Sequence, residues 1–283
     1  MGLDKFYTIP NIAQQCYDFL IQHFPNIENK KFLEPSAGNG AFLPFLKNYI
    51  AIDIKPEAEN IKEQDFLTFS SNEQLITIGN PPFGQRSKLA IQFFNKAAEF
   101  SDIIAFIVPV SFMKWNVQKE LNKNFSLIDL FYLPENSFTS NGEPFEVRTV
   151  FQIWTKNNSE YDIGINKRLI KTPPISHPDF NIWQYNATPQ ALSSIENNWT
   201  IATYRQGYHD YNQLFSKKDY DYLKEKMTGT KKQQFFFIEP LTDEAEKIIR
   251  NMDFNALAAR NTSTPGFGKG DFVSYYLELK NKN

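Results

Sequence analysis

The stretch "FLEPSAGNGAFL", Phe32 to Leu43, decides how the chain begins to fold. A short β-type run ends on Glu34, a glycine-bearing turn follows, and an apolar segment with helical character comes next. A strand that runs into such a turn and then a helix aims backbone amides and the helix N-terminus at a ligand. Gly38 and Gly40 allow the sharp turn and a close approach. There is no third glycine at the offset that a G-x-G-x-x-G fingerprint requires. Glu34, at the strand's end, faces the same crevice, and a carboxylate suits an amino group better than a phosphate.

Working outward, the next strand-like run is "AIDIKP", which places Asp53 where an acid accepts the two hydroxyls of a ribose. Asp65-Phe66 follows, a carboxylate able to accept from an adenine amino group beside a ring able to cover the base. Then "ITIGNPPFGQRS", Ile76 to Ser87, ends an apolar run on Asn80-Pro81-Pro82-Phe83. Proline fixes φ and removes an N–H, so this turn is stiff and its carbonyls need donors from elsewhere. Any one of these acids is more often a plain surface residue. Together, in order and at consecutive strand ends, they describe an adenosine with a charged amino-acid tail. No Walker phosphate loop is present.

Six β-type runs appear: "KFLEPSAG", "YIAIDI", "QLITIGN", "DIIAFIVP", "SLIDLFYLP" and "RTVFQIWTK". Helical spacing is seen over 11–24, where Asn11 is placed to cap, and over Ser87–Phe100, where Leu89, Ala90, Phe93, Phe94, Ala97 and Ala98 share a core-facing stripe. Strands alternating with helices predict a parallel sheet covered on both faces. The last two runs are joined by a turn-rich segment, Glu135 to Val147, with Asn-Gly at 141–142, so the sheet is expected to finish on an antiparallel strand. This α/β domain is read as 1–156. Residues 157–283 change character, with Pro173-Pro174 and aromatics interleaved with polar residues, and are read as a smaller α+β lobe. Residues 1–156 hold 14 Lys+Arg against 17 Asp+Glu, and 157–283 hold 16 against 15, completing the totals of 30 and 32.

A net charge of −2 announces no global basic field for a nucleic-acid partner, although a local basic cleft is compatible with it. The single Cys16 rules out an internal disulfide and a cysteine-based zinc site, and His23, His177 and His209 lie too far apart for metal spacing. "MGLDKFYTIP" has no apolar signal core, Phe6 stands where a myristoylation signal needs Ser or Thr, and no membrane-length apolar run occurs. Asn198-Trp199-Thr200 has the form of a glycosylation site but no export signal accompanies it. The expected compartment is the cytoplasm. The 27 phenylalanines fit AT-rich coding as well as base stacking.

"FLEPSAGNG", "AIDIKP", "QDF" and "NPPF" resemble motifs of the S-adenosylmethionine-dependent amino-methyltransferases, in particular the adenine-N6 methyltransferases of nucleic acids. "DKFYTIPNIAQQC" resembles the motif that precedes the glycine-rich strand in their gamma class, with Ile9 inserted between Thr8 and Pro10. The resemblance covers about the first 155 residues. It implies a Rossmann-like methyltransferase sheet, S-adenosylmethionine as cofactor, and cofactor contacts from Tyr7, Thr8, Glu34, Ser36, Gly38, Gly40, Asp53, Ile54, Asp65, Phe66 and Asn80. It further implies that Asn80, Pro81, Pro82 and Phe83 form the catalytic turn. The Asn80 side-chain oxygen and the Pro81 carbonyl would accept from the amino group of a flipped-out base while Phe83 stacks on it. Direct in-line displacement of the sulfonium methyl needs no metal. Only fourteen residues separate Asp65 from Asn80, so a recognition domain belongs after Lys156, as in the gamma class.

The expected activity is thus adenine-N6 methylation of double-stranded DNA, of the kind found in restriction-modification systems. RNA adenine methylation, protein-glutamine methylation and a non-catalytic nucleic-acid-binding module are the alternatives. Arg205, Tyr208, Lys217, Lys218, Lys231 and Lys232 are the expected nucleic-acid contacts, clamping the substrate against the catalytic face. "NTSTPGFGKGDF", Asn261 to Phe272, is expected to be a mobile loop. Target sequence and oligomeric state are not legible.

Overall fold

Apolar runs rich in isoleucine, valine and phenylalanine supply the central sheet. The structure, a computed structural model, describes residues 6–140, 142–261 and 264–281. Strands β1 (Phe32–Glu34), β2 (Tyr49–Asp53), β3 (Lys62–Glu63), β4 (Leu75–Gly79), β5 (Ser101–Pro109), β6 (Phe125–Tyr132) and β7 (Thr149–Lys156) form one seven-stranded sheet in the order β3-β2-β1-β4-β5-β7-β6. Strands β1 to β5 run parallel, and β7 inserts antiparallel between β5 and β6. The mostly parallel, Rossmann-like sheet with a final antiparallel strand is therefore present. The six expected runs all become strands. The two-residue β3 has no counterpart among them, because Lys62 and Glu63 are exposed and carry no apolar signal.

Strand alternation divides the core into two. Phe32, Ile76, Ile78, Ile103, Ala105 and Ile107 pack with Ile12, Ala13, Cys16 and Leu20 of helix α1 (Pro10–His23). Leu33, Ile104, Phe106, Val108, Val150 and Trp154 pack on the opposite face with Ala90, Phe93, Phe94 and Ala97 of helix α2 (Lys88–Ala97). At about 25 cal/mol per Å² of apolar area, these two faces are the main stabilising term of the domain. Asn11 does not cap α1. Ile9 holds the N-cap position with Pro10 in the first turn, and the Asn11 side chain instead accepts from Gln15 Nε2 at 2.9 Å. Pro10 pre-sets φ and needs no capped N–H, so the helix starts without a polar cap.

Two compact units emerge, Met1–Ile170 and Lys171–Asn283. The first extends beyond Lys156 because Arg168 binds back. Its guanidinium donates to the carbonyls of Asn122, Phe125, Gln118 and Leu121 at 2.6–3.0 Å, and Lys167 N donates to Leu127 O at 2.7 Å.

The second unit is α+β. Strands β8 (Phe180–Tyr185), β9 (Ile201–Gln206) and β10 (Gln234–Pro240) form an antiparallel sheet in the order β8-β10-β9. Helices α3 (Tyr220–Thr228), α4 (Asp243–Arg250), α5 (Phe254–Ala259) and α6 (Lys269–Lys280) accompany it around a separate, aromatic-rich core. One glycine of the 261–272 segment serves close approach: Gly266, at φ 150°, bridges to Gln206, and a Cβ there would stand 2.7 Å from Arg205 O. Gly207 N–Pro265 O and Phe267 N–Arg205 O bonds pin Pro265 to Phe267 along β9. Thr262 and Ser263 of that segment lie outside the described residues, as does Asn141 of the expected Asn-Gly turn. The strands flanking that turn, Phe138–Ser140 and Glu143–Phe145, pair antiparallel and take Tyr7–Thr8 as a third member.

Candidate active site

The carboxyl ends of β1, β2 and β4 open into one cavity of about 260 Å³ in the first unit. Tyr7, Thr8, Glu34, Ser36, Gly38, Asp53, Ile54, Asp65, Phe66, Asn80, Pro81 and Pro82 all line it. Gly40 and Phe83, the other two expected residues, do not. Gly40 (φ 81°) shapes the turn from behind, donating to Ala37 O while its missing side chain leaves room for Leu43. Phe83 is buried in the core behind the turn, 8% exposed.

The helix expected after Gly40 is absent. A single 3-10 turn, Leu43–Phe45, stands there with Pro44 inside it, and β2 begins at Tyr49. Proline and the short span leave no room for an α-helix. The β1 turn thus offers backbone amides without a helix N-terminus, and Gly38 N is already engaged, donating to Asp53 Oδ2 at 2.8 Å. Gly38 is left-handed at φ 53°, and the Tyr7 ring lies 3.3 Å from where its Cβ would be. The Tyr7 hydroxyl reaches across to donate to the Glu57 carboxylate. A side chain at position 38 would both strain the backbone and push Tyr7 from the wall.

Asp53 is held by two backbone donors, Gly38 N and, at 2.8 Å, Lys55 N. Asp65 starts the Phe66–Thr68 turn, Oδ1 accepting from Leu67 N at 2.9 Å. Its neighbour Phe66 forms a wall from within the core, packed on Phe93 and Phe100 at 4.9 and 6.1 Å. The exposed apolar side chains at this part of the cavity are Ile54 and Leu67, 59% and 37% exposed. Sequence reading missed Leu67 as well as Leu89 and Phe93, which belong to the helical stripe of α2 and carry no polar signature.

Two oxygens in the cavity stand out. Glu34 is 2% exposed, and its Oε2 has no hydrogen-bond partner among the described residues. Burial, and then the neighbouring Asp53 charge, push its carboxyl well above the usual range. Asn80 Oδ1 is likewise buried without a partner, while Asn80 Nδ2 donates to Thr8 Oγ1 at 3.2 Å. The Asn80 backbone carbonyl accepts from Ser36 Oγ at 3.0 Å. Thr8 and Ser36 thereby fix the Asn80 amide and leave its side-chain oxygen as an acceptor without a donor. A buried acceptor in that condition costs about 1–3 kcal/mol, a cost that a ligand's N–H removes.

Compared with known protein families, the chain matches none, and no curated protein matches it. Solved structures do resemble it. A provisionally named RNA methyltransferase of Pyrococcus horikoshii is 20% identical over 55% of this chain and 88% of that one, with a TM-score of 0.43. A provisionally named class I S-adenosylmethionine-dependent methyltransferase of Listeria monocytogenes is 15% identical over 58% of this chain and 64% of its own, at 0.45. The methyltransferase subunit of a type I restriction-modification system of Streptococcus thermophilus is 14% identical over 56% and 47%, at 0.42. The chain spans less than two thirds of the latter two proteins. At these identities the likeness concerns the fold alone.

Proposed function

We propose that the protein is an S-adenosylmethionine-dependent methyltransferase acting on the N6 amino group of adenine in DNA. One observation carries the reading: Asn80 Oδ1, buried, oriented by Thr8, and without a donor, at the stiff end of β4. An exocyclic amine placed there donates to that oxygen and to the Pro81 carbonyl, which turns the nitrogen lone pair towards the methyl donor. Transfer by direct displacement then depends on alignment and on stabilising the positive charge that develops on nitrogen.

The remaining lining fits the cofactor. Asp53 accepts from the ribose hydroxyls, Asp65 from the adenine amino group, and Ile54 and Leu67 cover the apolar faces of the base. The unpartnered oxygen of Glu34 and the acids Asp53 and Asp65 suit a ligand that brings an ammonium and a sulfonium. Asp53→Ala is expected to weaken cofactor binding through lost charge-assisted bonds.

The second unit supplies nucleic-acid contacts in this reading. Six lysines, at 217, 218, 224, 226, 231 and 232, stand against three acids, Asp219, Asp221 and Glu225, on and beside α3. Tyr222 is half-exposed in the same stretch, and Tyr208 is 82% exposed near the end of β9. Lysines that contact phosphates set affinity and its salt dependence without reading sequence. Arg205, by contrast, is half-buried against Phe236 and donates to Gln234, a structural rather than a surface position.

The test is direct. The protein is incubated with methyl-labelled cofactor and separate DNA, RNA and protein acceptors, and the labelled acceptor is digested. N6-methyladenine from DNA is the expected product. Label in RNA, or on a glutamine, replaces the reading.

A further inference from the structure

Three phenylalanines from distant parts of the chain meet beside Asn80. The Phe6 ring lies parallel to that of Phe145, centroids 4.8 Å apart and planes within 5°. Phe83 lies 5.6 Å from it, with the two planes tilted by 51°. Phe6, together with Thr8 and Asn80, lines the cavity, whereas Phe83 is covered. For Phe83 to meet an acceptor's face, the ring that covers it has to leave.

We infer that Phe6 holds the place of the acceptor's ring. With no acceptor bound it fills the slot between Phe83 and Phe145, and an incoming base displaces it and takes over its stacking. The inference rests on the reading of the Asn80 turn as the acceptor site. A flat ring that replaces Phe6 stacks on Phe145 and meets Phe83 at a tilt as Phe6 did, so both aromatic contacts are kept. A glutamine amide offers no such exchange, so the slot favours a nucleobase. The backbone hold on Phe6 is short, a two-residue strand pairing Tyr7 with Thr139 and Thr8 with Phe138, and beyond Phe83 and Phe145 its ring meets Phe138 edge-on at 6.3 Å. Phe6 can therefore swing out while Thr8 keeps its bond to Asn80.

A self-filled acceptor slot raises the apparent KM for the acceptor, since only the open fraction binds. Phe6→Ala in the full chain is therefore expected to lower KM for unmethylated mixed-sequence DNA about threefold to tenfold, the worth of one aromatic pair. Neither kcat nor cofactor affinity should fall. Phe6→Leu, which keeps an apolar plug but no flat ring, is expected to shift KM in the same direction by less, and it guards against misfolding of the alanine variant. A raised KM in both variants makes Phe6 a fixed wall of the acceptor site and overturns the inference, as does an unchanged KM. Asn80→Ala, run in parallel, tests the underlying reading. If the wild type methylates DNA and Asn80→Ala does not, the Phe6 variants alone decide. If the wild type labels neither DNA nor RNA, the acceptor reading falls and the inference falls with it.

Discussion

Glu34 and Asn80 stand at or just beyond the ends of the neighbouring strands β1 and β4, and each hides an oxygen with no protein donor among the described residues. The two differ in what pH does to them. Glu34 has a carboxyl raised well above its ordinary 4.5 by burial and by Asp53. The folded state therefore holds a proton there that the unfolded state has lost. Stability from this group is full below about the unfolded pKa and declines as pH rises towards the folded one. Glu34→Gln should accordingly raise the cofactor-free melting temperature near pH 8, and the gain should vanish near pH 4. A gain independent of pH would mean that the carboxyl is not the source. Asn80 does not titrate, so its contribution lies in the reaction. Asn80→Ala is expected to abolish transfer in single turnover while calorimetry shows cofactor affinity nearly unchanged, the signature of a contact made in the transition state. Near-normal single-turnover rates would reject the proposed role.

At the scale of elements, the strands were legible because apolar runs of β-branched residues declare themselves locally, and the acids at their ends came with them. Local pattern failed where a distant contact or a single proline decided. Pro44 removed the helix after Gly40, and Pro10 made the Asn11 cap unnecessary. Phe83 is recognisable by its motif, but its covering by Phe6 joins residues far apart along the first unit, which no local window contains. Arg168 is the plainest case, since the four carbonyls it ties are more than 40 positions away. They close the short helix Trp115–Gln118 and the turn that leads into β6, where a cation also complements the helix C-terminus. The guanidinium further lies 5.7 Å from the ring of Trp154, which is buried on β7. Arg168→Met keeps the apolar stem and removes the donors. It is expected to cost about 2–4 kcal/mol, read from the urea midpoint at unchanged m. A loss below about 0.5 kcal/mol would show that solvent satisfies those carbonyls equally well.

The whole molecule has two separate sets of cores, one on the two faces of the seven-stranded sheet and one around the β8-β10-β9 sheet. No helix among the described residues is long and apolar enough to cross a membrane. Every residue that lines the cavity belongs to Met1–Ile170, while the lysine-rich stretch around α3 belongs to Lys171–Asn283. This division separates two kinds of energy: short-range hydrogen bonds that hold a cofactor, and long-range charge that holds a polyanion and is screened by salt. A chain ending at Ile170 retains both faces of its sheet, the cavity and the Arg168 anchor, so it is expected to fold and to bind S-adenosylmethionine as the full chain does. A chain ending at Lys156 lacks the anchor and should melt lower. Both should bind a DNA duplex more weakly than the full protein, with a shallower dependence of log K on log salt, because the lysine phosphate contacts are gone. The measurement is a salt titration of duplex binding for the full chain and the Ile170 form, with circular dichroism to confirm folding. Equal affinity and equal slope in the two would place nucleic-acid binding on the first unit and leave the lysines of α3 as solvated surface.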